Sequence, residues 1–222
     1  MIKHLLLDLD NTLYPASGGM DEAITRRMIE FISSYLNIPF EEAVTLRNAR
    51  VPLFGTTLEW LTAEHNLVDS EAYFQAVHPE NEIEDLQKDD RLRPYLLSLG
   101  LPMTLLTNAP KAHAQRLMKF FNIEDIFIGV FDLNFHNGVG KPHRDCFLST
   151  LSAVGYSVEE TLFVDDHPKY VRGYKDLGGR AVIVDENGKN VEMAQTEGFA
   201  HIGSIYDLGA LLKSGKLRTG LL

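Results

Sequence analysis

Asp8 and Asp10 stand one residue apart, directly after Ile2–Leu7, an apolar run long enough for one buried strand. Carboxylates are seldom buried without a partner or a metal. Side chains at i and i+2 of a strand share a face, so both carboxylates are expected to look into one crevice at the sheet edge. Two like charges that close repel unless a cation or a proton lies between them. The pair therefore implies a metal, a shared proton, or both.

Three further groups could work with that pair: Thr107-Asn108, Gly140-Lys141-Pro142 and Asp165-Asp166. Taken singly, each is ordinary as a turn, a cap or a surface loop. Taken together they are complementary. Carboxylates suit a hard cation, while a hydroxyl and an ammonium suit a phosphate. Other polar residues carry blander expectations. His167 reads as a helix-start or surface histidine, and His136 and His143 merely flank Lys141. Arg47 and Arg50 read as a solvated helix face, and Trp60 as core.

The elements that must position these groups follow from hydrophobic period. After the turn Pro15–Gly19, Ile24, Met28, Ile29, Ile32 and Leu36 fall at helical spacing. Further helices are expected over Phe40–Arg50, over Leu58–Leu61 behind a Thr56 or Thr57 cap, and over Ser70–Val77. Residues 15–88 thus read as helical with no strand. From Leu92 the pattern alternates. Helices are expected over Leu92–Leu99, Lys111–Phe121, His143–Val154 with Pro142 in the first turn, Pro168–Leu177 and Ser204–Leu212. Strands are expected over Met103–Thr107, Ile126–Phe131, Leu162–Val164 and Ala181–Val184, and a polar surface loop over Lys189–Gly198. Alternation of this kind predicts an α/β fold, a Rossmann-like parallel sheet with helices on both faces. Ligands of such sheets bind beyond the carboxyl ends of the strands, where all four groups fall. The expected organisation is a core of 1–14 and 89–222, with a helical cap of 15–88 inserted after the first strand.

Composition narrows the class. The 222 residues are 45% hydrophobic and 23% charged, with a mean hydropathy of −0.10, as in ordinary globular domains. A net charge of −10 argues against a nucleic acid polymer as partner. A phosphate ester remains open to an acidic protein that supplies local positive charge. The single cysteine, Cys146, excludes an internal disulfide and reads as a buried structural thiol. No apolar run approaches the roughly 20 residues of a membrane span, so a cytoplasmic protein is expected.

Asp8-Leu9-Asp10-Asn11-Thr12, Thr107, Lys141 and Asp165-Asp166, in that order over nearly the whole chain, resemble the motifs of the haloacid dehalogenase-like hydrolase superfamily. Four stretches resemble its pyrimidine 5′-nucleotidase-like branch: Asp8–Pro15, Phe54-Gly55-Thr56-Thr57-Leu58, Leu106-Thr107-Asn108-Ala109 and Phe163-Val164-Asp165-Asp166-His167. Asn11 and Phe54 stand where many relatives carry glycine and tyrosine. The resemblance implies a phosphomonoester hydrolase working through an aspartyl-phosphate. Asp8 is then the nucleophile and Asp10 the general acid and base. Thr107, Asn108 and Lys141 hold the phosphoryl group. Mg²⁺ is held by Asp8, the Asp10 main-chain carbonyl and Asp166, with Asp165 direct or water-bridged. The dehalogenase members lack the second aspartate, because a halide leaving group needs no proton.

The resemblance to the nucleotidase-like branch implies a pyrimidine nucleoside 5′-monophosphate as the substrate. Phosphoglycolate, a sugar phosphate or a phosphomutase reaction are the enzymatic alternatives. A Mg²⁺-binding regulatory module is the alternative without catalysis.

Overall fold

The computed structural model describes residues 1–84, 86–215 and 217. Six parallel strands form one sheet in the order β3-β2-β1-β4-β5-β6. They are β1 (His4–Leu7), β2 (Met103–Leu106), β3 (Phe127–Phe131), β4 (Thr161–Asp165), β5 (Arg180–Val184) and β6 (Ala200–Ile202). β1 lies at the centre, with Leu5 opposite both Met103 and Leu162. A parallel strand buried on both faces reads as continuous hydrophobic sequence rather than alternation. The fully buried β1 follows that rule, and its one polar residue is satisfied. The His4 ring bonds Thr104 Oγ1 (2.8 Å) and Thr161 Oγ1 (3.1 Å) on the two neighbouring strands, and stacks on Tyr156.

Alternate residues feed two apolar clusters. Leu5, Leu7, Leu105, Val164 and Val182 pack with α5 (Leu92–Ser98), α6 (Lys111–Phe121) and α10 (Leu208–Lys213). Leu6, Leu106, Phe163 and Ile183 pack on the opposite face with α7 (Arg144–Val154), α8 (Pro168–Lys175) and α9 (Val191–Glu197). The fold is therefore the Rossmann-like α/β class expected from sequence. Between β1 and α5 the chain forms α1 (Met20–Leu36), α2 (Phe40–Arg50), α3 (Thr57–His65) and α4 (Ser70–Val77), with no strand among the described residues. Thr56 caps α3, its side chain accepting from the Glu59 amide at 3.1 Å. Asp85, Lys216 and residues 218–222, which the two expected units include, lie outside the described residues. No described helix is long and apolar enough to cross a membrane.

Some local expectations need correction. The polar stretch Lys189–Gly198 holds α9 rather than a loop; only Ala194 in that helix is buried, so no apolar period announces it. β6, three residues at the sheet edge, is too short to show a pattern. Pro142 lies outside α7, which starts at Arg144 behind His143. A turn closed by the His143 amide on the Gly140 carbonyl (3.1 Å) precedes it. The expected last helix divides into a 3₁₀ turn, Ile205–Asp207, and α10, because Ser204 and Asp207 form a capping box. Helix α8 ends at Lys175, two residues early, with Gly178 in the left-handed region just beyond.

Candidate active site

The strand order reverses beside β1, whose neighbours β2 and β4 carry the sheet in opposite directions. The carboxyl ends at such a switch point leave a crevice. Asp8 follows the last residue of β1, and its amide donates to the Val164 carbonyl at 2.9 Å. Asp165 is the last residue of β4, and Thr107 follows the last residue of β2. These three strands therefore fix the three groups relative to one another through ladder register.

The face-sharing argument for Asp8 and Asp10 does not hold in its original form. β1 stops at Leu7 and the chain turns over Leu9–Leu13, where the Leu13 amide returns to the Leu9 carbonyl at 3.0 Å. Both aspartates still line one cavity. Asn11 makes the turn with φ of 59°, a left-handed conformation that asparagine and glycine tolerate best. That conformation suits an asparagine at this turn.

Lys141 sits between carboxylates. Its Nζ lies 2.5 Å from Asp8 Oδ1 and 2.6 Å from Asp165 Oδ2, and its side chain is 1% exposed. Burial alone would strip its proton, but Asp165 and Asp8 outweigh burial and hold the ammonium well above its usual range. Thr12 Oγ1 donates to Asp8 Oδ2 at 3.0 Å, and the His167 amide donates to Asp165 Oδ1 at 2.8 Å. Burial pushes the Asp8 carboxyl upward, against the pull of Lys141 and with Asp165 and Asp10 adding repulsion. Asp166 is raised by the same causes, burial first and then Asp165 and Asp8.

Asn108 is a clamp. Its carboxamide donates to the Lys141 carbonyl at 2.9 Å and accepts from the Lys141 amide at 2.8 Å. Gly140 makes this approach feasible, since a Cβ there would fall 2.1 Å from Asn108 Oδ1. Thr107 Oγ1 accepts from the Ala109 amide at 3.0 Å, which orients the hydroxyl at the rim.

Asp8, Asp10, Thr107, Asn108, Lys141 and Asp166 all line one cavity of about 710 Å³, with the α1–α4 helices forming its other wall. That wall contributes Met28, Arg47, Thr57 and Tyr73. The two sides touch. Lys169 Nζ donates to the Pro52 carbonyl at 3.0 Å and also to that of Phe54. Tyr170 donates its hydroxyl to the Gly55 carbonyl at 3.2 Å, and His143 Nε2 meets Glu59 at 3.0 Å. His167 caps α8 and lines the cavity, whereas His136 bonds Ser149 and Thr150 away from it. Trp60 is fully buried, as expected of core, and burial pushes the Cys146 thiol up to about 12, that of an inert structural cysteine.

Two partners of Asp10 escaped the sequence. Its Oδ1 accepts from the Tyr14 hydroxyl at 2.5 Å and meets His113 Nε2 at 2.7 Å. Burial would lift the Asp10 carboxyl, but His113 and Tyr14 outweigh it and hold it below the usual range. Burial would likewise discharge His113, yet Asp10 and Glu82 hold it up at about 9. The one sequence signal was a histidine within the buried stripe His113, Ala114, Leu117, Met118, Phe121 of α6.

The carboxylates suit a hard divalent cation. Oxygens of Asp8, Asp165 and Asp166 lie within 4.8 Å of one another, with one lysine to balance three acids. Asn11 donates to Asp166 Oδ2 at 3.4 Å, and its own buried Oδ1 has no partner. An oxygen-rich site short of positive charge, beside an orphaned carbonyl oxygen, fits Mg²⁺ with its retained waters.

Comparison with known proteins shows what the chain as a whole is similar to. Residues 2–178 match the family described as haloacid dehalogenase-like hydrolase. The chain is 27% identical to the glyceraldehyde 3-phosphate phosphatase of Methanocaldococcus jannaschii, over 97% of this chain and 99% of that protein. It is 24% identical to phosphate metabolism protein 8 of Saccharomyces cerevisiae, over 90% of this chain but 60% of that protein. Among solved structures, a HAD phosphatase from Thermococcus onnurineus superposes with a TM-score of 0.64 at 23% identity, covering 95% of this chain and 98% of that one. L-2-haloacid dehalogenase from Xanthobacter autotrophicus superposes at 0.61 and 17%, covering 96% and 99%. At those identities the structural likeness speaks for fold alone.

Proposed function

This chain belongs to the haloacid dehalogenase-like hydrolases, and on that premise we propose that it is a Mg²⁺-dependent phosphomonoester hydrolase. The observation that carries the reading is the convergence of Asp8, Asp10, Lys141 and Asp166 on one cavity at the switch point of the sheet. The phosphatase relative that spans nearly the whole chain supports it.

Asp8 attacks phosphorus as the ester phosphorus–oxygen bond breaks, and the leaving oxygen takes a proton from Asp10. Water then attacks the aspartyl-phosphate, gives its proton to Asp10, and releases orthophosphate and free Asp8. An arriving phosphate dianion beside Asp10 favours the protonated acid needed for the first step. The same group, ionised again, is the base for the second. Lys141 neutralises charge shared by Asp8 and the transferring group. The Thr107 hydroxyl and the second amide proton of Asn108 hold phosphoryl oxygens. Asp8, Asp166 and the Asp10 main-chain carbonyl would hold Mg²⁺, with Asp165 through water, and the bound ion would supply charge neutralisation at the phosphoryl oxygens. The helices of 15–88 act as a cap over a core of 1–14 and 89–222, excluding water and reading the leaving group.

For the substrate, the sequence resemblance favours a pyrimidine nucleoside 5′-monophosphate, and a cavity of about 710 Å³ has room for one. A second reading is a smaller ester with a second anionic group, such as phosphoglycolate. Arg47 favours it. This cap guanidinium lines the cavity, bonds only Thr57 Oγ1 and Met28 Sδ, and has no carboxylate partner among the described residues.

The test is release of orthophosphate from p-nitrophenyl phosphate with Mg²⁺, with and without EDTA. Turnover that EDTA removes and Mg²⁺ restores is expected. Absence of turnover with every divalent metal defeats the reading. UMP and CMP beside phosphoglycolate, glyceraldehyde 3-phosphate and sugar phosphates then separate the two substrate classes.

A further inference from the structure

Behind Asp10 runs a chain of buried polar groups that the motif residues do not include. His113 on α6 is fully buried, with Nε2 at 2.7 Å from Asp10 Oδ1 and Nδ1 at 2.9 Å from Glu82 Oε1. Glu82 Oε2 lies 3.0 Å from His78 Nδ1. Arg116 binds Glu82 Oε1 and donates to the His78 carbonyl at 2.9 Å. The rings of His78 and His113 lie 4.3 Å apart. Ligand atoms of His78, Glu82 and His113 lie within 4.8 Å of one another, yet the group is unsuited to a metal. Both nitrogens of His113 already face carboxylates, and Glu82 already carries a guanidinium.

Buried polar clusters fix side-chain geometry to the extent that their members are paired. Asp10 shows the effect. Tyr14 and His113 both engage Oδ1, while Oδ2 has no hydrogen-bond partner among the described residues and belongs to a cavity-lining side chain. One oxygen is anchored and the other is left for the substrate. His113 pairs in turn with Glu82 at 2.9 Å, an ion-pair contact and not an aligned hydrogen bond, and Glu82 lies just past α4 on the segment that returns from the helices to the sheet.

We propose that His113 is a positioning residue for Asp10, held by Glu82, and that it fixes the carboxylate for proton transfer to the leaving oxygen. The proposal rests on Asp10 being the general acid and base. It adds that the return segment of the helical insertion is tied, through one imidazole, to the group that protonates the product.

Leaving-group dependence tests it. Phenyl phosphate needs proton donation more than p-nitrophenyl phosphate does. His113→Asn keeps a donor near Glu82 but withdraws the one at Asp10. It is expected to lower kcat for phenyl phosphate about 10- to 100-fold, within the range of general acid catalysis, and for p-nitrophenyl phosphate only about 3-fold, with KM little changed. His113→Gln places an amide nitrogen near the former Nε2 and is expected to restore most of the loss. Glu82→Gln should give the same pattern more weakly. Equal losses on both esters, or a loss confined to KM, overturn the proposal. So does failure of the glutamine variant to restore, in a chain whose circular dichroism melt matches wild type. Asp10→Asn separates the premise from the proposal. If Asp10→Asn steepens the leaving-group dependence and His113→Asn does not, the positioning role fails alone. If Asp10→Asn leaves the dependence flat, the acid–base assignment fails and takes the positioning role with it.

Discussion

Lys141 Nζ lies 2.5 Å from Asp8 Oδ1, both side chains nearly fully buried, and the same nitrogen reaches Asp165 at 2.6 Å. One ammonium thus joins the ends of β1 and β4 and, among the described residues, is the sole cation within ion-pair distance of either aspartate. Charges buried in this way are tolerable only as a set.

Removing the lysine should therefore expose the set. Lys141→Met is expected to destabilise the metal-free protein by about 3–5 kcal/mol, as when one partner of a buried pair is deleted. Urea unfolding in EDTA measures it. A loss under about 1 kcal/mol, well below that range, would mean that the carboxylates are satisfied without the lysine. Turnover should fall as well, since Asp8 loses the group that screens it from the phosphoryl dianion.

Arg47 decides between substrate classes. If the natural ester carries a second anion, Arg47→Met should raise KM for phosphoglycolate about 10- to 100-fold. That corresponds to a charged hydrogen bond of about 1.5–3 kcal/mol. KM for p-nitrophenyl phosphate should barely move. Efficient turnover of UMP and CMP, with phosphoglycolate untouched in wild type and variant alike, would favour the nucleotide instead.

His4 gives a pH dependence remote from the cavity. Burial pulls its pKa from 6.5 down to about 4. The unfolded chain then binds the proton more readily than the folded one. Stability from the neutral ring is complete above about pH 6.5 and is lost as pH falls toward 4. Wild type should lose more stability across that window than His4→Asn, read as the difference between two urea series. Parallel curves would show that His4 does not titrate on unfolding.

What was legible in the sequence followed from where strands must stop. Asp8, Thr107 and Asp165 are each ordinary alone, and it was their common position at the ends of apolar runs, with complementary chemistry, that singled them out. The spacing of the helices was equally plain, and α4 and α6 match the expected bounds residue for residue. Asp10 was found for an incomplete reason, as a turn rather than a strand places it. His113 and Tyr14 stayed hidden because their contact with Asp10 is tertiary, 103 residues distant for His113. Nothing local distinguishes such a histidine from one that packs. Helix α9 and strand β6 were missed because they bury too little to impose a period.

The central place of β1 has a consequence for how the molecule breathes. The Asp8 amide is bonded to Val164 beside a fully buried strand that is paired on both sides. Amides so placed exchange only when the whole molecule opens, whereas the polar contacts at Pro52–Gly55 can be released to water one by one. On the proposed function, Asp8 thus rides on the slowest part of the chain, while the helices that would read the substrate belong to a faster one. Mutations that retune selection in the helices can accumulate there without moving the atom that attacks.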